Sequence, residues 1–261
     1  MSDERICANC NAVVPEGHHF CGKCGARYAG DQEAEADEQT LYYGAMQAPG
    51  RAKLVLIRGE GLEGLSYHLN ATEHIAGREE GAVLFPDDDY LDPSHARFFY
   101  RDNQLFLTDE DSTNETFLQI REPTELQDGA EIYIGEQRLR IEFLSLQGEY
   151  PMSGNTLMYV CPPKDYKFRL VHVLEGGRDG SAYCSVNNDI LIGRQGCDIN
   201  FPDDPHVSPQ HARLTWTDGT VTVTDQDSKN GTFVSLSGEE QLQHGDYVMF
   251  GSELVRVEIN E

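Results

Sequence analysis

The sequence repeats itself at a fixed offset of 116 residues. The string GRxxxxxxFPDD begins at Gly77 and again at Gly193, so that 193 − 77 = 116. The register then holds without a gap through the rest of both copies. Identity at so many positions indicates two copies of one domain, which we place at residues 51–147 and 167–261.

Short apolar runs recur in both copies, as at 54–57, 96–100 and 213–224. Such runs are typical of β-strands, and no apolar stripe with helical spacing competes with them. Turn-forming groups such as RDN, TDG and SKNG separate the runs, which predicts hairpins stacked into a β-sandwich. The sequence therefore predicts an all-β chain with two tandem sandwiches.

The charge balance excludes several classes of partner. The chain of 261 residues has 45 acidic and 20 basic side chains, a formal charge of -25, which repels nucleic acid and anionic lipid. No apolar run approaches the roughly 18 residues of a membrane-spanning helix, and the first ten residues lack the apolar core of a signal peptide. We expect a cytoplasmic protein without membrane insertion.

Two CxxC pairs, ten residues apart, lie near the N-terminus and consist of Cys7, Cys10, Cys21 and Cys24. Each pair offers two thiolates to one tetrahedral ion, for which zinc is the default metal. A disulfide or redox pair is the alternative, but two matched pairs in a cytosolic chain favour a metal. The segment resembles the short bacterial zinc ribbons, which implies a structural zinc site in residues 1–28.

Two segments are predicted to be linkers. Residues 29–50 begin with an acidic run that lacks apolar spacing, which favours a solvated tether. Residues 148–166 join the two copies. Thr40 and Thr156 lie at equivalent positions ahead of their copies.

Three motifs in the second copy have a specific spacing: GR at 193–194, SxxH at 208–211 and NG at 230–231. Together they resemble the signature of the forkhead-associated (FHA) domain. The resemblance covers about 95 residues of each copy. It implies a β-sandwich whose end loops bind phosphothreonine peptides.

The resemblance assigns phosphopeptide contacts to four residues. It implies that Arg194 contacts the phosphate, where a guanidinium pairs with two oxygens at once. Ser208 is implied to donate its hydroxyl to the same group, and Lys229 to add a positive charge. The amide of Asn230 is implied to hold the main chain of the ligand, because it both donates and accepts.

Three further residues are expected to support this site. Gly193 belongs to the first motif, and Gly231 permits a turn with positive φ. His211 stands three residues after Ser208, as in a hydrolase pair, but no oxyanion element or third orienting residue accompanies it. The resemblance implies that His211 braces the loops.

The first copy departs from the FHA pattern at two positions. Asp92 corresponds to Ser208 and Glu115 to Gly231. A carboxylate about 4 Å from a phosphate costs up to ~4 kcal/mol per unit charge at an effective dielectric of 20. We therefore predict that Asp92 pairs with Arg78 and that this copy does not bind phosphothreonine. The first site otherwise retains Arg78, His95, Thr113 and Asn114.

Other activities fit less well. The GxGxxG string at 59–64 is followed by strand-like alternation rather than by the helix of a nucleotide site. The segment at 225–231 resembles a calcium loop, but Lys229 occupies a ligand position and no glutamate closes the loop. We expect no enzymatic activity.

The sequence thus predicts a signalling adaptor that binds phosphothreonine-containing proteins, the substrates of a Ser/Thr kinase, through its second FHA domain. The alternative is an assembly subunit whose FHA folds make protein contacts without phosphate. Thr40 and Thr156 are candidate phosphoacceptors, and one hypothesis is that phosphorylated Thr40 folds back onto the site of Arg194. The alternative is that both threonines belong to a duplicated first strand with no signalling role.

Overall fold

A computed structural model describes residues 5–6, 13–14, 51–59, 63–144, 152–153, 156–157 and 164–260. The four cysteines of the predicted ribbon, the acidic tether and Thr40 lie outside these residues. In the described part, the chain is all-β apart from a 3-10 turn at Glu175–Gly177. No helix in that part has the length and apolar character to cross a membrane.

Two short strands precede the first copy, β1 (Arg5–Ile6) and β2 (Val13–Val14), and they pair antiparallel. The first copy contributes ten strands, which are β3 (Ala52–Arg58), β4 (Ser66–Leu69), β5 (Glu73–Gly77), β6 (Val83–Leu84), β7 (Ala96–Arg101), β8 (Gln104–Asp109), β9 (Thr116–Gln119), β10 (Thr124–Leu126), β11 (Glu131–Ile134) and β12 (Gln137–Phe143).

The predicted linker between the copies contains a small antiparallel pair, β13 (Met152–Ser153) and β14 (Thr156–Leu157). The second copy repeats the ten strands as β15 (Phe168–Leu174), β16 (Arg178–Ser185), β17 (Asp189–Gly193), β18 (Ile199–Asn200), β19 (Ala212–Thr217), β20 (Thr220–Asp225), β21 (Thr232–Ser235), β22 (Glu240–Gln241), β23 (Tyr247–Phe250) and β24 (Glu253–Ile259).

Alternating apolar residues give each strand one buried face. In β3, for example, Ala52, Leu54 and Leu56 are fully buried while the residues between them are partly exposed. This alternation is what a sandwich requires, since successive side chains of a strand point to opposite faces of the sheet.

The two sandwiches exchange their last three strands. β12 of the first copy pairs with β15 of the second, and β24 of the second copy pairs with β3 of the first. The short strands follow the same exchange, because β10 pairs with β20 and β22 pairs with β8. Each sandwich is therefore built from seven strands of one copy and three strands of the other.

The hydrophobic cores show the same division. One core combines residues 52–107 with residues 242–257, and the other combines residues 126–141 with residues 168–223. The repeat predicts one consecutive sandwich for each copy, whereas in the structure the last three strands of each sandwich come from the other copy. The reason is that equivalent strands carry nearly the same apolar pattern, so that either copy's hairpin fits either core.

Strands β9 and β21 join the sandwiches into one ten-stranded sheet. They pair antiparallel, with Leu118 opposite Val234. A small third cluster, built around Phe117, Phe233 and Met249, packs at this junction. The two copies thus form one body, and the loop that follows β20 contacts Gln119 of β9.

Candidate functional site

The second copy brings its three motifs together at one end of the sandwich. The amide of Arg194 donates to the carbonyl of Ser208 at 2.9 Å. A β-carbon on Gly193 would lie only 2.3 Å from the carbonyl oxygen of Pro209, so this close approach requires glycine. The strand that ends in GR is therefore held directly against the loop that carries SxxH.

His211 connects this loop to the NG motif. Its Nδ1 accepts from the amide of Ser208 at 3.0 Å, and its Nε2 donates to the carbonyl of Gly231 at 3.1 Å. His211 is fully buried, and burial lowers the pKa of its imidazole, so the neutral form with one donor and one acceptor is favoured. Both ring nitrogens are engaged by backbone, which is the bracing role that the FHA resemblance implies.

Ser208 and Asn230 form further links between the loops. The hydroxyl oxygen of Ser208 accepts from the amide of Lys229 at 3.0 Å, which leaves its proton available for another acceptor. The side-chain amide of Asn230 donates to the carbonyl of His206 at 2.8 Å. These contacts place the hydroxyl of Ser208 and the backbone of Lys229 side by side.

The cationic groups of this site have no protein partner among the described residues. Arg194 is partly exposed and Lys229 is exposed, and neither side chain forms an ion pair or hydrogen bond within the part of the chain that the structure describes. Two cationic residues that have no side-chain partner among the described residues, and whose backbone amides both bond to Ser208, are suited to an anionic ligand.

The first copy repeats the histidine contacts of this scaffold. His95 accepts from the amide of Asp92 at 3.2 Å and contacts the carbonyl of Glu115 at 3.2 Å, as His211 does in the second copy. Its imidazole is buried, and burial lowers its pKa as well. The loops are therefore braced in both copies.

Asp92 does not form the predicted pair with Arg78. The carboxylate of Asp92 accepts instead from the amide of Thr113 and, at 3.2 Å, from its hydroxyl. Arg78 lies 3.8 Å from the carboxylates of Glu79 and Asp89. Thr113 thus satisfies the carboxylate of Asp92 with two donors, while Arg78 lies beside two other carboxylates.

Asn114 is also committed within the first copy. Its amide nitrogen donates to the carbonyl of Tyr90 at 2.8 Å, and its oxygen accepts from Arg138 at 3.4 Å. The position equivalent to Arg138 in the second copy is Leu254, which cannot make this bond. The acceptor that would hold a ligand main chain is therefore occupied in the first site.

The two sites differ in charge at more positions than Asp92 and Glu115. Six loop positions around the first site carry five acidic residues and no basic one, a formal charge of −5, whereas the equivalent positions of the second carry only one basic residue, +1. The difference is therefore six charges. The six positions are Glu79, Glu80, Asp89, Asp92, Thr113 and Glu115 in the first copy, and Gln195, Gly196, Pro205, Ser208, Lys229 and Gly231 in the second.

A separate cavity of about 290 Å³ lies between residues 118–130 and 234–246. Its wall contains the ion pair of Arg121 with Asp246, 2.5 Å apart, and none of the predicted phosphopeptide residues.

Two further predicted sites are the phosphoacceptor Thr156 and the zinc site. Thr156 lies in β14 and is exposed. No group of three or more His, Cys, Asp or Glu side chains among the described residues is arranged to hold a metal ion. Since the four ribbon cysteines are outside those residues, the zinc site remains a prediction.

Comparison with known proteins gives one family match and several structural likenesses. The FHA domain family matches residues 74–135 and 190–251. No curated relative matches the chain.

Three solved structures illustrate the likeness. One, from an analysis of phosphothreonine-dependent FHA domain interactions, is 29% identical and covers 33% of this chain and 90% of its own, with a TM-score of 0.20. The FHA domain of CT664 from Chlamydia trachomatis is 24% identical over 36% of this chain and 98% of its own, with a TM-score of 0.22. The FhaA FHA domain, complexed with the intracellular domain of Rv3910, is 26% identical over 32% of this chain and 90% of its own, with a TM-score of 0.18.

Proposed function

Since the chain contains two FHA domains, we propose that it is an adaptor that binds phosphothreonine-containing proteins and that its second domain makes the contact. The observation that carries this proposal is the placement of Ser208 between Arg194 and Lys229. The hydroxyl of Ser208 is oriented by the amide of Lys229, and the backbone of Arg194 is bonded to the same loop.

Charge supports the choice of the second domain. A phosphothreonine carries close to two negative charges at neutral pH. Around the first site Glu79, Asp89 and Asp92 would all face such a group, and a carboxylate at about 4 Å costs up to ~4 kcal/mol at an effective dielectric of 20. The second site lacks these carboxylates.

The contacts of His211 support a binding role rather than a catalytic one. A base for Ser208 has to contact the hydroxyl, whereas His211 contacts the amide of Ser208 and the carbonyl of Gly231. We therefore propose no enzymatic activity for this pair.

Binding of the full-length chain to immobilised peptide libraries tests the proposal. The libraries carry a fixed phosphothreonine, phosphoserine or unmodified threonine. We expect capture by the phosphothreonine library alone, and a loss of about 10- to 150-fold in affinity for Arg194→Ala, because a charge-assisted bond contributes roughly 1.5 to 3 kcal/mol.

Arg78→Ala is the matched control, since Arg78 is the equivalent residue of the first copy. It should leave phosphothreonine binding unchanged. Equal capture of the phosphorylated and unmodified libraries would favour the assembly subunit, whose contacts do not depend on phosphate.

A further inference from the structure

The hairpin β11–β12 belongs to the first copy but completes the second sandwich. Its apolar residues Ile132, Ile134, Leu139 and Ile141 are fully buried in the same core as strands β15, β17 and β19. The second FHA domain, in the sense of a folded sandwich, therefore contains strands from both copies. The degenerate first copy supplies part of it.

The same hairpin contacts the loop that precedes Ser208. The carboxylate of Asp204 accepts from the amide of Glu136 at 2.8 Å and from the side chain of Gln137 at 2.7 Å. Asp204 also accepts from the amide of His206 at 2.8 Å, and the carbonyl of His206 holds the side chain of Asn230. A short chain of hydrogen bonds thus leads from the first copy to the NG motif.

A second contact from the first copy reaches that motif directly. Nε2 of Gln119 lies 3.4 Å from the carbonyl oxygen of Asn230, and the side chain occupies the space above Gly231. A β-carbon built on Gly231 would lie 1.7 Å from Nε2 of Gln119. The NG loop of the second copy is therefore packed against a strand of the first.

We propose that the first copy serves as a positioning element for the phosphopeptide loops of the second copy. This inference rests on the proposed function and extends it to the role of the degenerate domain. The first copy carries Asp92 and Glu115 in place of a serine and a glycine, but its hairpin and Gln119 hold the loop that precedes Ser208 and the NG motif at Asn230. Loss of binding in the first site is compatible with this role, since none of these contacts uses Arg78 or Asp92.

The chain offers a matched pair of substitutions. Gly135, in the β11–β12 hairpin, has φ of 64°, and a β-carbon there would lie 2.6 Å from Val207 and 2.9 Å from Asp204. Gly251, in the β23–β24 hairpin, has φ of 56°, and a β-carbon there would lie 2.5 Å from Asp88 and 2.8 Å from Leu91. The two glycines share the backbone strain but face opposite sites.

We expect Gly135→Ala to weaken binding of the full-length chain to the phosphothreonine library by at least about fivefold, and Gly251→Ala to leave it unchanged. In a chain of two consecutive sandwiches the effects would be reversed, because Gly251 would then face Asp204. A loss of affinity in Gly251→Ala but not in Gly135→Ala, or equal affinities in both, would overturn the proposal.

A disulfide experiment tests the strand exchange without any peptide. Lys53 faces Glu258 across β3 and β24, and directly opposed residues lie close enough for a disulfide. In consecutive sandwiches the partner of Lys53 would be Glu142, the residue equivalent to Glu258. We expect an intramolecular 53–258 link in Lys53→Cys/Glu258→Cys, identified by mass spectrometry of the peptides, and no 53–142 link in Lys53→Cys/Glu142→Cys. The opposite result contradicts the proposal.

These measurements separate the two proposals. Should the native chain bind none of the libraries, the proposed function fails, and the positioning role is then judged from amide NMR signals. Gly135→Ala should shift the signals of Ser208 and Asn230, and Gly251→Ala should not. Unshifted signals in Gly135→Ala would overturn the inference.

Discussion

The hydroxyl oxygen of Ser208 accepts a hydrogen bond from the backbone amide of Lys229 across 3.0 Å. This bond fixes the oxygen at the end of the sandwich and leaves the hydroxyl proton to donate outward. In the first copy the carboxylate of the equivalent Asp92 accepts from both the amide and the hydroxyl of Thr113. One substitution therefore converts a donor to an anion without dismantling the loop.

Ser208→Asp should abolish phosphothreonine binding while the fold is retained. The new carboxylate can accept from Lys229 as Asp92 does from Thr113, so the loop keeps its bond, but the phosphate meets a negative charge. Ser208→Ala removes only the donor and should weaken binding by about 2- to 12-fold, since a net hydrogen bond contributes roughly 0.5 to 1.5 kcal/mol. Isothermal titration with a selected phosphothreonine peptide measures both, and undiminished binding by Ser208→Asp would contradict the proposed site.

Restoring the first site should require more than one substitution. In an Arg194→Ala background, Asp92→Ser alone is expected to give no binding, because Glu79 and Asp89 remain close to Arg78. Adding Glu79→Gln, Asp89→Pro and Thr113→Lys removes both carboxylates beside Arg78 and introduces the cation of the second site, and should give measurable phosphothreonine capture. Restoration by Asp92→Ser alone would show that the surrounding acidic residues are irrelevant.

Much of this arrangement could be predicted from the sequence. The repeat gave the two copies, and the spacing of GR, SxxH and NG gave the loops that meet at His211. The predicted partner of Asp92 was wrong, because sequence spacing does not tell which of two nearby donors a carboxylate reaches. In the structure the carboxylate of Asp92 accepts from the amide and the hydroxyl of Thr113 on the adjacent loop, and not from Arg78.

The strand exchange was not predicted, for a physical reason. Leu139 and Ile141 in one hairpin correspond to Val255 and Val257 in the other, so both hairpins offer branched apolar residues to either core. A binary pattern cannot distinguish between two partners that it fits equally well. The two copies do differ in the size of residues at their junction, where Gln119 corresponds to Ser235 and Glu115 to Gly231.

The size signal leads to a third prediction. The long side chain of Gln119 packs over Gly231. At the equivalent positions, Ser235 replaces Gln119 and Glu115 replaces Gly231. Each pair therefore combines one long and one small residue. Gly231 has φ of 78° and Glu115 has φ of 61°, both in the left-handed region. Gly231→Glu should lower the free energy of unfolding by about 1 to 2 kcal/mol from the backbone alone, and more from displacement of Gln119.

When Gln119→Ser is combined with Gly231→Glu, the chain should recover the part of the unfolding free energy that was lost through displacement of Gln119. The recovery, measured by urea denaturation in a double-mutant cycle, is expected because the pair then matches Glu115 with Ser235. Strict additivity of the two substitutions would indicate that Gln119 and Gly231 do not meet.

The predicted zinc ribbon gives a prediction that is independent of the sandwiches. Elemental analysis of the full-length chain should find about one zinc per chain, and replacement of Cys7 and Cys10 by serine should remove it, because a structural site uses all four thiolates. Serine at Cys184, a described and exposed cysteine, is the control and should retain the metal. Zinc retained after loss of Cys7 and Cys10 would place the metal elsewhere.

Three buried histidines predict how stability depends on pH. Burial lowers the pKa of His74, His95 and His211 below the ordinary value of 6.5, so the folded state resists their protonation while the unfolded state accepts it. As the pH falls through 6.5, the unfolded state therefore binds more protons than the folded state. The contribution of these histidines to stability is fully present above pH 6.5 and is lost progressively as the pH falls to the folded-state pKa values. Urea denaturation at pH 7.5, 6.5 and 5.5 should show a steady fall in the free energy of unfolding. A fall that is the same in His211→Gln as in the native chain would mean that this imidazole has the same pKa in the folded and unfolded states, contrary to the effect of its burial.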